Sequence, residues 1–449
     1  MTVNPVVDVE EEIHSFEPAN NGAGPLWCHG STIVVRTGED VYVTTLETLP
    51  DEAPLNNCRW VLYARRADGW RVVHRDETGR TREPCPIAAL YNGALLVTDN
   101  PTLTESGQER GPAQPTVFRF NTKDIRAGCT RELPVWKGAP GFTEHSYRTV
   151  TADGEKNEVL YMQNVGMDVS HMSLLRRDGV WVGVGTLAWP WGGEYPVPQP
   201  LRLCYPNVVM RDRETHFFGV GDIVEPIEAW RNTRLEITGR HWDYVFRRLF
   251  YAYTPDVARQ PFCEWIEVAN RDATAGAMRN NDIWLAPDGT AHLVWSETTV
   301  DERLRDRFFP DETVAHSLEY AAVRNGEVQA RRTLARVTEA APGDRPHLAR
   351  FQVTENGTPV LLASFVCDAP SAPTHVYRLA TMSSDGSLSD WVDVPFGNPI
   401  AGTFLTSTVR GGSRPASTID VVGMAAGAPQ TLRYARIRLN KGGCRYARA

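Results

Sequence analysis

Seven times along the chain a tight turn built from Gly, Asn or Asp separates two short runs rich in β-branched and aromatic residues, and few folds can accommodate such a repeat. The turns are Thr37-Gly38-Glu39-Asp40, Tyr91-Asn92-Gly93, Ala152-Asp153-Gly154, Arg211-Asp212-Arg213, Pro287-Asp288-Gly289, Glu355-Asn356-Gly357 and Arg410-Gly411-Gly412, at intervals of about 55 to 77 residues. Gly and Asn/Asp reach the positive φ that hairpin turns require, so each site reads as a hairpin. A second turn-bounded pair follows most of them, as at 60–70, 171–181 and 318–326. Four short strands in each unit of about 60 residues, repeated around a ring, predict an all-β fold, a seven-bladed β-propeller of four-stranded antiparallel blades that leaves only short, protected sheet edges.

A turn signal running almost end to end leaves no room for an independent domain, so residues 1–449 read as one propeller. Residues 1–27 form an entry segment able to donate a strand to the last blade. The blades are expected near 28–84, 85–140, 141–190, 200–272, 277–337, 347–398 and 402–439. The link at 189–198 is too rich in Trp, Tyr and Pro for a free linker and should fold back onto the disc. Segments 221–258 and 299–314 read as insertions forming a cleft wall, since insertions on a repeat gather on one face and often build a binding surface. The charge pattern of the second permits a short helix.

A net charge of −8 argues against nucleic-acid partners, which need a basic surface. No apolar stretch approaches the ~18 residues of a membrane span, so no membrane partner is expected. The N-terminus has neither a basic nor an apolar leader region, which reads as cytoplasmic for the sequence as written. Cys28, Cys58, Cys85, Cys129, Cys204, Cys263, Cys367 and Cys444 stand singly, which excludes zinc and redox motifs by spacing and suits buried thiols in a reducing compartment. No metal site and no cofactor is predicted, and a monomer or small homo-oligomer is expected. The chain carries no G-x-S-x-G, H-E-x-x-H, P-loop or G-x-G-x-x-G motif.

In a propeller the innermost strand of each blade begins at a mouth of the central channel. The unit openings are Trp27-Cys28-His29-Gly30-Ser31, His145-Ser146-Tyr147-Arg148, Cys204-Tyr205-Pro206-Asn207, Asn280-Asn281-Asp282 and Arg345-Pro346-His347. Residues at equivalent positions of different blades converge, so His29, His145, Tyr205 and His347 are expected around one axial cavity. Asp282 is read as satisfying backbone N–H groups at a strand start. His171 heads the second hairpin of the blade that carries His145. The first insertion adds Trp242, Tyr244, Arg247 and Arg248, aromatic faces and guanidinium groups suited to stacking on sugars and to gripping carboxylates.

The hairpins, together with Ser383-Ser384-Asp385-Gly386-Ser387 and Ala286-Pro287-Asp288-Gly289-Thr290, resemble the BNR/Asp-box propellers of the sialidase-like superfamily. The order of His145, His171 and Tyr205 is similar to that in the seven-bladed ulvan lyases and related rhamnose–glucuronate lyases. That resemblance implies a polysaccharide lyase that cleaves uronic-acid-containing glycans by β-elimination. His145, His171 and Tyr205 would be its acid–base groups, and His29, Arg248, Arg247, Tyr244, Trp242 and His347 would bind substrate. Arg248, Arg247 or Arg231 would supply the carboxylate-binding arginine, and the partner would be an acidic oligosaccharide. Two alternatives stay open: a glycoside hydrolase on the same scaffold, pairing His29 with Glu225 or Glu228, and a noncatalytic propeller that binds a glycan or a protein.

Overall fold

The computed structural model describes residues 3–367 and 374–441, and Cys444 lies outside them. Seven four-stranded antiparallel sheets follow one another along the chain. Their innermost strands are Val34–Thr37, Ile87–Ala89, Arg148–Asp153, Leu203–Arg211, Ala275–Leu285, Arg345–Val353 and Ile400–Thr406. Each predicted turn joins the first strand of a blade to its second. At the seventh site a wider connection replaces the tight hairpin, and it holds a short 3₁₀ turn over Val409–Gly411. The ring closes through the N-terminus. Val3–Ser15 forms the outermost strand of the last blade, antiparallel to Ala428–Lys441, paired from Val3 opposite Lys441 to Ser15 opposite Thr431 with register shifts at Val7/Val9 and Glu12/His14.

Burial grades outward within a blade. In the third, Arg148–Asp153 is buried throughout and Glu158–Val165 nearly so, whereas the outer strand Trp181–Ala188 is largely half-exposed. Inner strands therefore lack the polar–apolar alternation of a one-sided sheet, because both their faces are covered. An apolar cluster fills the junction between each neighbouring pair of blades. Val35, Trp60, Ile87 and Phe120 join the first two, and Leu348, Leu362, Phe404 and Ile437 join the last two. At about 1.5–3 kcal/mol for each fully buried large side chain, these junctions dominate the stabilisation.

The first strand of every blade starts on one face of the disc, here the upper face. The second strand returns to it, so connections between second and third strands also lie there. Both insertions are of this kind. The first is shorter than the sequence implied: Arg248–Thr254 is the third strand of blade 4, which leaves 222–247 as the inserted part. It holds helix α1, Glu228–Thr238, and a small ribbon pairing Ile223–Val224 with Tyr244–Val245. The aromatic, apolar run at 248–254 reads like the rest of the insertion, and only its pairing with 215–220 marks it as blade. Helix α2, Glu302–Phe308, opens on an Asp301 side chain that accepts from the Arg303 amide. The 189–198 link packs on the disc, with Trp189 against Phe217 at 5.9 Å.

Candidate functional site

The channel is plugged at mid-depth by residues 29–31, which directly follow the entry segment and precede the first inner strand. The carbonyl of His29 accepts from Arg350 Nη2 at 2.9 Å, and that of Gly30 accepts from Asn207 Nδ2 at 3.3 Å and from Arg410 Nη1. Ser31 Oγ accepts from the Val150 amide at 3.0 Å. Four blades thus hold this segment across the axis, and the side chains above it floor the upper mouth.

Tyr205 stands at the centre of that floor. Its ring lies 5.1 Å from Tyr147, 5.5 Å from His29 and 5.8 Å from Trp27, and Tyr147 in turn meets His145 at 6.4 Å. Tyr205 holds φ at +53°, a left-handed backbone that side chains other than Gly adopt at a cost of about 1–3 kcal/mol, and one that gathers at functional sites. A bulge interrupts the strand register there, and Asn280 Nδ2 donates to the carbonyl of Tyr205, which is buried, at 3.1 Å.

Beneath the two tyrosines is Glu83, 1% exposed. Cys28 Sγ donates to its carboxylate at 3.3 Å, and Arg82 Nη1 approaches it at 3.5 Å while also reaching the Tyr147 hydroxyl at 3.5 Å. Burial raises the Glu83 pKa against the opposing pull of Arg82 and Arg148. Burial, then the nearby Glu83 charge, pushes Tyr147 up to about 12 and Tyr205 well above the usual phenol range. Arg202 lies over Tyr147 at 5.1 Å and over Tyr244 of the insertion at 5.6 Å, and is ion-paired to Asp222 at 2.7 Å.

His145 sits half-exposed at the rim. The 101–115 loop of blade 2 positions it: the Gly111 amide donates to Glu144, whose other oxygen is 2.9 Å from His145 Nδ1. Burial and then Arg82 lower the His145 pKa, so the ring is neutral near pH 7.

On the other side of the axis His29 and His347 both feel Arg279. Burial, with Arg279, Arg350 and Arg410 adding to it, holds His29 well below the usual imidazole range. Burial and then Arg279 bring His347 to about 4, its ring 5.5 Å from His375. Arg279 donates to Thr403 Oγ1 at 2.9 Å and has no carboxylate partner among the described residues. Burial alone lowers it to about 10, so it remains a cation at neutral pH.

The structure therefore gathers His145, Tyr205, His29 and Tyr244 into one chain of contacts, with His347 across Arg279. His171 stands apart from that chain, on the third strand of blade 3 with its ring against Phe142 at 6.2 Å. Arg247 is ion-paired to Glu225 at 3.1 Å and Asp272 at 3.0 Å, and Arg248 to Glu267 at 2.6 Å and to Glu194, so carboxylates already occupy both guanidinium groups. Glu225 is fully buried between Arg234 and Arg247, which keeps it from a sugar. Trp242 is 75% exposed at the tip of the insertion. Asp282 accepts from Arg410, from its neighbour's amide and from the Phe351 amide, but it does so from within the strand Ala275–Leu285, which begins seven residues before it, and not from a strand start. Among the described residues no cluster of three or more His, Cys, Asp or Glu could hold a metal.

Sequence reasoning missed Arg82, Glu83, Tyr147, Arg202 and Arg279. The rule of inspecting unit openings would have reached Glu83, two residues before Cys85, and Arg279, one before Asn280.

No family model matches the chain, and no curated protein does. Among solved structures, the GH93 α-L-arabinofuranosidase of Fusarium graminearum is similar over 78% of this chain and 93% of its own, at 13% identity and a TM-score of 0.42. Semaphorin 1b of Drosophila is similar over 90% and 84%, at 10% identity and 0.40. The sialidase of Trypanosoma rangeli is similar over 77% and 52%, at 9% identity and 0.37. Function has to be argued from the site itself.

Proposed function

We propose that the protein is a carbohydrate-active enzyme that hydrolyses a glycosidic bond of an acidic oligosaccharide at the upper mouth. The observation that supports this best is Glu83, a buried carboxyl set under two phenols and ringed by arginines. A tyrosine is a poor nucleophile at its ordinary pKa and needs an adjacent base. Burial makes Glu83 more basic, Arg82 feels both Tyr147 and Tyr205 and would stabilise a phenolate, and Arg202 lies over the neighbouring Tyr147 ring.

In this reading Tyr205 Oη attacks the anomeric carbon and passes its proton to Glu83, while the departing sugar oxygen takes a proton from solvent. Water then attacks the glycosyl–tyrosine and gives a proton to neutral His145. Glu83 returns its proton to the phenolate, and His145 releases its own to solvent. Arg279, free of any carboxylate, holds the acid group of the sugar, and Tyr244 and Trp242 offer faces for further rings.

One observation favours a second reading. Neutral His29 beside cationic Arg279 would also suit β-elimination, in which a base removes the proton next to a neutralised carboxylate. The products separate the two. Hydrolysis releases reducing ends without the ultraviolet absorbance of an unsaturated uronate, and that absorbance would move the assignment to elimination. Tyr205→Phe should lower the rate by ~10²–10⁴-fold with the fold intact. Neither signal on a broad panel of acidic glycans would leave a binding propeller as the better account.

A further inference from the structure

The lower face carries a cavity that the proposed reaction does not use. The ends of the innermost strands enclose about 560 Å³ there, within the ~300–1,000 Å³ typical of small-molecule sites. Arg410 forms the floor. Its bonds to Asp282, at 2.9 Å, and to the Gly30 carbonyl close the cavity off from the upper mouth. Half-buried Trp284 and Val409 contribute apolar wall.

The rim is charged in both senses. Arg414, exposed, lies over the Tyr91 ring at 3.8 Å and has no ion pair among the described residues. Glu155 and Glu355, also exposed, line the same opening and likewise have no ion pair there. Tyr91 feels both Arg414 and Glu155, which brings opposite charges to one edge. An uncharged occupant would cover these groups without pairing them, which costs free energy. A simple anion or cation would meet one complementary sign and one repulsive sign.

We propose that the lower mouth is a second small-molecule site, separate from the upper one, that takes a zwitterion with an apolar body, namely an aromatic α-amino acid. Its ring lies against Trp284 and Val409, its carboxylate on Arg414, and its ammonium on Glu155, the carboxylate that shares the Tyr91 edge with Arg414. The assignment does not depend on the reaction at the other face.

Calorimetric titration of the whole chain with L-phenylalanine, 3-phenylpropionate and phenethylamine, to about 10 mM, tests it. Phenylalanine should saturate one site and bind about tenfold tighter than either one-charge analogue, since each of these loses a charge-assisted contact. Arg414→Gln, an exposed change, should weaken phenylalanine and phenylpropionate by about tenfold and leave phenethylamine unaltered. Glu155→Gln should do the reverse, and Tyr205→Phe should alter none of the three. Absence of saturable phenylalanine binding, affinities unmoved by Arg414→Gln, or binding abolished by Tyr205→Phe would each overturn the proposal.

Discussion

Gly30 is where the 29–31 segment, the plugged axis and the position of Tyr205 meet, so replacing it with Ala tests all three together. A Cβ there would sit 2.0 Å from the Tyr205 carbonyl oxygen and 2.2 Å from that of Pro206, whereas ordinary contact begins at 3.4 Å, so the two backbones must part by about 1.4 Å. Neither obstacle is a flexible side chain. Overpacking of this kind costs about 1–3 kcal/mol. The same shift pulls the Gly30 carbonyl from Asn207 and Arg410, and two buried hydrogen bonds add about 1 kcal/mol each. The expected destabilisation is therefore about 3–5 kcal/mol. Gly24, six residues earlier, has nothing within 4 Å of a Cβ, and Gly24→Ala should stay within about ±0.5 kcal/mol. Urea unfolding followed by tryptophan fluorescence compares the two, and glycan cleavage by folded Gly30→Ala should fall because Tyr205 is displaced. Equal midpoints for the two variants would refute the account of the axis as a packed crossing.

Four further outcomes follow from the same geometry. Arg279→Gln should weaken binding of a uronate-containing oligosaccharide by about tenfold or more, the loss of one charge-assisted contact, and leave a neutral counterpart unaffected, as read by calorimetry. Arg248→Gln, whose guanidinium is spent on Glu267 and Glu194, should lower the unfolding midpoint without a selective effect on acidic ligands. His292, 2% exposed and 2.7 Å from the Tyr320 hydroxyl, is brought by burial to about 4. An unfolded His titrates near 6.5, so between these values the unfolded chain binds more protons. Stability should then rise with pH across that window and be lost as pH falls through it, by up to about 3 kcal/mol, and His292→Gln should flatten the slope of urea midpoint against pH. Removing residues 3–15 strips the outer strand from the last blade and exposes the edge of Ala428–Lys441, so the shortened chain should aggregate on size-exclusion chromatography.

The ring was legible in the sequence because its turns carry a local chemical requirement. Positive φ at Gly38, Gly93, Gly289 and Gly357 marks the chain wherever it must reverse, whatever surrounds it. The extent of the first insertion was not legible, since Arg248–Thr254 has the composition of the segment before it and only strand pairing tells them apart. For the site, counting from the unit openings reached Tyr205, on an inner strand, and His145 and His29, on the segments that lead into inner strands, so each is set at the start of its blade. The arginines show where that reasoning stops. Arg247 and Arg248 stand among aromatics, as a sugar-binding pair would, yet Glu225, Asp272, Glu267 and Glu194 neutralise them. Arg279 has no flanking aromatics in sequence and, among the described residues, no carboxylate partner in space. Whether a guanidinium is free for a ligand depends on which carboxylates the fold brings within about 4 Å, the reach of an ion pair. Those carboxylates come from other segments: the insertion for Glu225, the turn after the blade for Asp272, the outer strand for Glu267 and the link before the blade for Glu194. Spacing along the chain can say that an arginine lies near the mouth. Only the packed ring says that its charge is still unspent.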